Sequence, residues 1–191
     1  MVHLPVQSGS TRVLQAMDRQ YTRDEYMRRI EWMKNARRPI AISTDIIVGF
    51  PGETEEDFAA TLALLDEVEY DSIFSFKYSR RPNTPALAFG DHIPDEQKGR
   101  RLTILQERQR AIQLRRNSDL IGSELEVLVE GFNSATGQWI GRTSQNRVLN
   151  FTAAPRPGGE PQKNEVIGRY VPVRVQRAGP NSLAGESAVA L

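Results

Sequence analysis

The sequence predicts an α/β layer built on parallel strands, followed by a small antiparallel β-barrel. Three observations carry this. Strand and helix patterns alternate as far as about residue 118, the signature of βαβ units with right-handed crossovers. The run Ile40-Ala41-Ile42-Ser43-Thr44-Asp45-Ile46-Ile47-Val48 is rich in β-branched residues without strict alternation, as in a strand covered on both faces. Beyond residue 118 the pattern changes to short, closely spaced strands separated by Gly, Asn and Pro.

Taken in order, His3 to Gln7 reads as a short buried strand that Gln7-Ser8-Gly9-Ser10 breaks. Thr22-Arg23-Asp24-Glu25 is a capping box, and Tyr21 and Tyr26 hold the positions of a hydrophobic staple, so a helix is expected over 22–37. The strand 40–48 stops at Gly49-Phe50-Pro51-Gly52. Thr54 caps the next helix, whose Phe58, Leu62, Leu65 and Val68 form one apolar stripe. Residues 72–78 form the third strand, 79–94 a Pro-rich loop, and 95–118 a long helix with Leu102, Leu105, Ile112 and Leu114 inward. Strands are then expected over 125–131, 138–142, 147–151 and 170–175. The first strand starts at the beginning of the sequence, and three parallel strands would leave an apolar edge open. The α/β part therefore reads as the second half of something larger.

Of 191 residues, 39% are hydrophobic and 26% charged, with a net charge of +1, which is a globular composition. No apolar run reaches the roughly 18 residues that span a bilayer, and the first five residues do not resemble a signal peptide, so a soluble, cytoplasmic protein is expected. With no cysteine, the chain cannot itself form disulfides, Cys-zinc sites, iron–sulfur ligation or a thiol nucleophile. The near-neutral total hides segregation. Residues 45–71 hold nine acidic residues and no basic one, whereas 98–116 hold seven basic and one acidic. Such runs usually are solvated faces, although the basic run would suit a polyanion.

In parallel α/β folds, ligands lie beyond the carboxyl ends of the strands, where loops and helix N-termini gather. Two such ends are chemically rich here, Gln7-Ser8-Gly9-Ser10 and Gly49-Phe50-Pro51-Gly52-Glu53. In the second, glycine allows close backbone approach, Phe50 offers an apolar surface and Glu53 an acceptor. From spacing alone, an ordinary strand-to-helix turn is the readier reading.

The spelling of these segments carries more. HLPVQSGS at 3–10, MDRQYT at 17–22, STDIIVGFPGET at 43–54 and FKYSRRPNTPA at 76–86 closely resemble the radical S-adenosylmethionine (SAM) methylthiotransferases, in wording most like the tRNA-modifying branch. Val127-Leu128-Val129-Glu130-Gly131, Gly141-Arg142-Thr143, Asn146-Arg147-Val148 and Ser182-Leu183-Ala184-Gly185-Glu186 resemble the same family's TRAM domain. Asn83 departs from the family's usual Gly, and Asn tolerates positive φ.

The resemblance implies the C-terminal half of a radical SAM-type partial (β/α) barrel at 1–117, an OB-like TRAM barrel at 118–187 and a tail at 188–191. It implies a parent enzyme that cleaves SAM at a 4Fe-4S cluster and adds a methylthio group to isopentenyl-adenosine next to the tRNA anticodon. The parent would hold two such clusters, neither bound by this chain, which alone should be inactive. Partners implied are the tRNA anticodon arm, an electron donor such as a flavodoxin-type protein, and the N-terminal half of the same enzyme. Gln7, Ser8, Arg19, Asp45, Gly49, Phe50, Pro51 and Glu53 would line the SAM side, Arg19 gripping a carboxylate unless it pairs with Asp18 or Glu25. Tyr78 and Arg81 would face the substrate or the other half. In the barrel, Arg142, Asn146, Arg147, Arg169 and Arg174, with Trp139 and Phe151, offer charge and stacking for RNA, aided by Arg108, Arg110, Arg115 and Arg116. Trp139 suits a core position as well as a platform. Alternatives are an RNA-binding adaptor with an α/β scaffold, or a methylthiotransferase acting on another tRNA adenosine or on a ribosomal protein.

Overall fold

Three parallel strands, β1 (Val2–His3), β2 (Ile42–Val48) and β3 (Ser72–Lys77), form a sheet in the order β1-β2-β3 in the computed structural model, which describes residues 1–82, 84–90, 93–154 and 163–190. Asn83 lies outside the described residues. The chain divides into two compact units, Val2–Ile112 and Gln113–Leu191, with Met1 grouped in the second.

In the first unit, the expected strand 3–7 is reduced to two residues and an isolated bridge between Gln7 and Ile46. Pro5 has no N–H to donate, and the Val6 N–H turns to the Thr44 hydroxyl, 2.9 Å away, instead of a backbone carbonyl. A six-residue helix α1 (Thr11–Ala16), not anticipated from the sequence, follows, with Ser10 as its N-cap. Helix α2 (Arg23–Lys34) has the expected capping box, Thr22 and Glu25 bonding each other's backbone N–H groups. It stops three residues earlier than expected, at the Asn35 C-cap. Helix α3 (Glu55–Val68) carries a second capping box, Thr54 with Asp57. The loop after β3 contains a 3-10 turn, Pro85–Phe89, also unforeseen. Helix α4 (Asp95–Ser118) has the expected bounds.

The core joins Ile30 of α2, Ile46 and Val48 of β2, Phe58, Leu65 and Val68 of α3, and Leu105 and Ile112 of α4. Leu102 packs on its edge, whereas Leu114 is 43% exposed, contrary to the sequence expectation. A chain of hydroxyls runs through this core: Tyr70 donates to Tyr26 and Tyr26 to the Leu4 carbonyl, each at 2.9 Å. These bonds satisfy phenols whose burial would otherwise be costly.

The second unit is a closed barrel of β4 (Glu124–Asn133), β5 (Gln138–Thr143), β6 (Val148–Ala154), β7 (Tyr170–Ala178) and β8 (Leu183–Ala190), in the order β4-β5-β6-β8-β7. A short helix α5 (Lys163–Val166) precedes β7. The expectation of an antiparallel barrel needs one correction, because β6 and β8 run parallel. The fifth strand, spelled Leu-Ala-Gly-Glu-Ser-Ala-Val-Ala, has little of the β-branched character that marks the others. Inward side chains alternate along each strand, with Val127 and Val129, Leu149 and Phe151, and Val171, Val173 and Val175 filling the barrel.

Candidate ligand cavity and barrel surface

Gln7 is held in the left-handed region, φ 73°, while its N–H bonds the Asp45 carbonyl and its carbonyl accepts from Ile47, both at 2.9 Å. Such a conformation in a residue with a Cβ is uncommon, and it persists here because β2 fixes both sides of the peptide. Ser8 is buried within its own turn, its hydroxyl accepting the Ser10 N–H at 3.2 Å.

At the end of β2, Gly49 has φ +75°, and a Cβ there would meet Cγ of Lys98 at 2.4 Å. The close approach that glycine permits is thus to the buried stem of Lys98. The Gly49 N–H donates to both Glu53 carboxylate oxygens, at 3.1 and 3.2 Å, and the Glu53 N–H closes a turn onto the Phe50 carbonyl. Arg101 of α4 donates to Glu53 at 2.6 Å and to Glu55 at 2.7 Å. Burial pushes the Glu53 carboxyl up, while the Gly49 N–H and Arg101 pull it down. Glu53 therefore ties its own loop to α4.

A cavity of about 570 Å³ opens at the carboxyl ends of the three strands. Gln7, Arg19, Asp45 and Phe50 line it, together with Tyr78 and Arg81; Ser8, Gly49, Pro51 and Glu53 do not. Phe50 packs edge-on against Tyr78, ring centroids 5.1 Å apart, making an apolar wall. Arg19 is exposed and forms no ion pair among the described residues, because Asp18 accepts from Gln20 and Glu25 is occupied by its capping box. The cavity thus offers a guanidinium on one side and aromatic rings on another. Asp45 lies 3.3 Å from His3. Tyr78 lines the cavity, while its hydroxyl is buried beneath that wall with no hydrogen-bond partner among the described residues.

On the barrel, Trp139 and Phe151 are 4% and 0% exposed, so neither is a stacking platform. Trp139 packs against Phe132 at 4.8 Å. Arg142 donates to Glu130 at 3.2 Å and to the Asn146 side chain at 3.2 Å. Arg147 donates to the Asn117 side chain, which itself donates to the Gly179 carbonyl at 2.7 Å. Arg174 stands opposite Glu124 on one side and Glu186 on the other. Arg169 is exposed beside Tyr170, which is 66% exposed and pairs across β4 with Leu128, itself opposite Arg142. Tyr170 is thus the exposed ring beside arginines that the sequence reading sought in Trp139. Its strand reads Tyr-Val-Pro-Val-Arg-Val, and alternation with the buried valines was the available signal.

Comparison with known proteins finds two family matches. Residues 1–65 carry a match to the Radical SAM superfamily and residues 119–187 a match to the TRAM domain. It is similar to the tRNA-2-methylthio-N(6)-dimethylallyladenosine synthase of Solibacter usitatus, 66% identical over 98% of this chain and 41% of the relative. Proteins of the same name from Koribacter versatilis and Geotalea uraniireducens are 56% and 47% identical, each over 97% of this chain and 40% of the relative. The chain spans about two fifths of the length of these curated relatives. The cavity belongs to the α/β unit, which contains the radical SAM match, and the Arg169–Tyr170 surface to the barrel, which contains the TRAM match. No helix among the described residues is long and apolar enough to cross a membrane.

Proposed function

We propose that the chain is the C-terminal part of a cytoplasmic enzyme that adds a methylthio group to isopentenyl-adenosine beside the tRNA anticodon. The observation that carries this reading is the 66% identity, sustained over 98% of the chain, to a relative named for that reaction. Within it, residues 1–117 complete a partial (β/α) barrel and 118–187 form the RNA-binding barrel, whose last strand runs on to Ala190 where the sequence suggested a tail.

The cavity residues fit SAM. Arg19, unpaired and exposed, suits its carboxylate; Phe50 and Tyr78 suit its apolar and aromatic parts; Gln7 and Asp45 supply polar atoms at strand ends. Ser8, Gly49, Pro51 and Glu53 act through the loops that hold those residues. When bound and reduced at a cluster, SAM would supply a carbon radical. The chain has no thiolate with which to hold either 4Fe-4S cluster, so those ligands belong to the N-terminal half of the same enzyme. An electron donor of the flavodoxin type and the tRNA anticodon arm are the other partners. On the barrel, Arg169 and Tyr170, with Arg142 on the same face, are the leading RNA contacts, and Asn146, Arg147 and Arg174, which hold partners within the barrel, would contribute charge beside them.

The deciding experiment is nucleoside analysis of tRNA from a strain lacking the gene, complemented with the whole enzyme or with its Arg19→Ala variant. Loss of the methylthio nucleoside, restored by the wild type and not by the variant, supports the reading. Unchanged nucleosides in the deletion strain would overturn it.

A further inference from the structure

Helix α2 presents the most exposed large apolar side chain among the described residues, Trp32 at 73%. The capping box that starts the helix and the burial of Tyr26 and Ile30 fix which face turns outward. One turn before Trp32, at i−4 and i−3, stand Arg28 and Arg29, and one turn after it Asn35 and Ala36, all exposed. Arg37 and Arg38 follow immediately and are exposed as well. None of these four arginines forms a salt bridge among the described residues, although Arg28 and Arg29 are within electrostatic reach of the Glu25 carboxylate and Arg29 lies over the Tyr21 ring at 5.6 Å. The exposed Glu31 lies to one side of this face.

An exposed tryptophan inside an apolar patch would point to a protein partner, because interface cores are depleted in charge. Trp32 has the opposite surroundings: its helix-face neighbours are two arginines, an asparagine and an alanine. A bare indole among exposed guanidinium groups, with Arg37 and Arg38 free of any salt bridge among the described residues, matches the chemistry of looped RNA, in which an unpaired base stacks on a ring and its flanking phosphates meet cations. We propose that the Trp32 face of α2, with Arg28, Arg37 and Arg38, is a second RNA-contacting surface, on the α/β unit, that stacks one unpaired base of the bound tRNA. This rests on the reading that the enzyme acts on tRNA.

The molecule supplies its own probe. Of its two tryptophans, Trp139 is buried in the barrel and Trp32 is open to water. In the full 191-residue chain carrying Trp139→Phe, titration with an unmodified tRNA anticodon stem-loop at low salt should quench the remaining emission and protect it from acrylamide. Trp32→Ala should weaken stem-loop binding about fivefold or more. The pair Arg37→Ala and Arg38→Ala should flatten the salt dependence by about 0.7 in log–log slope for each phosphate no longer neutralised. These are exposed positions, and unchanged melting curves would confirm that the variants fold. Wild-type affinity and salt slope in these variants would overturn the second surface, while weakened binding by Tyr170→Ala in parallel would leave the proposed function standing. Absence of stem-loop binding by the whole enzyme would overturn both. A protein seated on Trp32, with RNA affinity unchanged by Trp32→Ala, also counts against the inference.

Discussion

Glu53 and Arg101 form an ion pair in which both side chains are almost fully enclosed, 2% and 3% exposed, with 2.6 Å between Oε1 and Nη1. The same carboxylate receives the Gly49 N–H, so one buried group links the end of β2, the start of α3 and the side of α4. Removing one partner leaves the other charge buried without compensation. Glu53→Ala or Arg101→Ala is expected to cost about 3–5 kcal/mol, read as a lower urea midpoint. Any loss of ligand binding in Glu53→Ala should follow that loss of stability, whereas Arg19→Ala should lose SAM affinity with its melting temperature unchanged.

Asp57 supplies the pH dependence. Burial alone would raise its carboxyl, but hydrogen bonds from Arg12, Ser10 and Thr54 outweigh that and hold it well below the usual carboxylate range. A carboxyl depressed in the native state adds stability that is complete above its unfolded value, about 3.9, and is lost as the pH falls towards the native one. Asp57→Asn should lower stability at neutral pH by about 1–3 kcal/mol and remove this part of the acid limb below about pH 4. Thermal melts of both proteins between pH 2 and 7 would check this.

Gly9 abuts α3, where a Cβ would lie 2.5 Å from the Ala60 carbonyl oxygen and 2.6 Å from Cα of Thr61. Backbone cannot yield as a side-chain tip can. Gly9→Ala should therefore destabilise the α/β unit by about 1–3 kcal/mol and leave barrel unfolding unaffected, which hydrogen exchange resolved by unit would show.

The arginines of the barrel should separate by their partners. Arg147 holds Asn117, which in turn bonds the Gly179 and Pro180 carbonyls, so Arg147→Ala should lower the melting temperature. Tyr170 and Arg169 project outward, so Tyr170→Ala should leave melting within about 0.5 kcal/mol of wild type while reducing tRNA affinity. Melting and titration on the same proteins distinguish the two roles.

The features that the sequence made legible are those with local causes. Thr22 and Glu25 announce a helix start within four residues, Thr54 announces another, and the run through Ile46 to Val48 announces a covered strand. What escaped depends on distant partners. Pro5 and Thr44 together truncate β1, Leu114 stays 43% exposed on α4, and the parallel β6–β8 pair joins segments over thirty residues apart. At the cavity, the loops were legible as punctuation, but which side chains turn inward was not. Glu53 reads as an available acceptor until Arg101, 48 residues later, claims it. On the barrel, Trp139 suited core or platform and proves to be core, while the outward ring, Tyr170, was legible only through its alternation with Val171, Val173 and Val175.

The two sheets differ in whether they have ends. Among the described residues of the α/β unit only β2 has a neighbour on each side, whereas each of the five barrel strands has two. In deuterated water, amides of β2 should therefore outlast the outward rows of β1 and β3, which open by fraying from a free border. The barrel offers no such border, and its amides should be released together, at a rate set by the rupture of the whole ring.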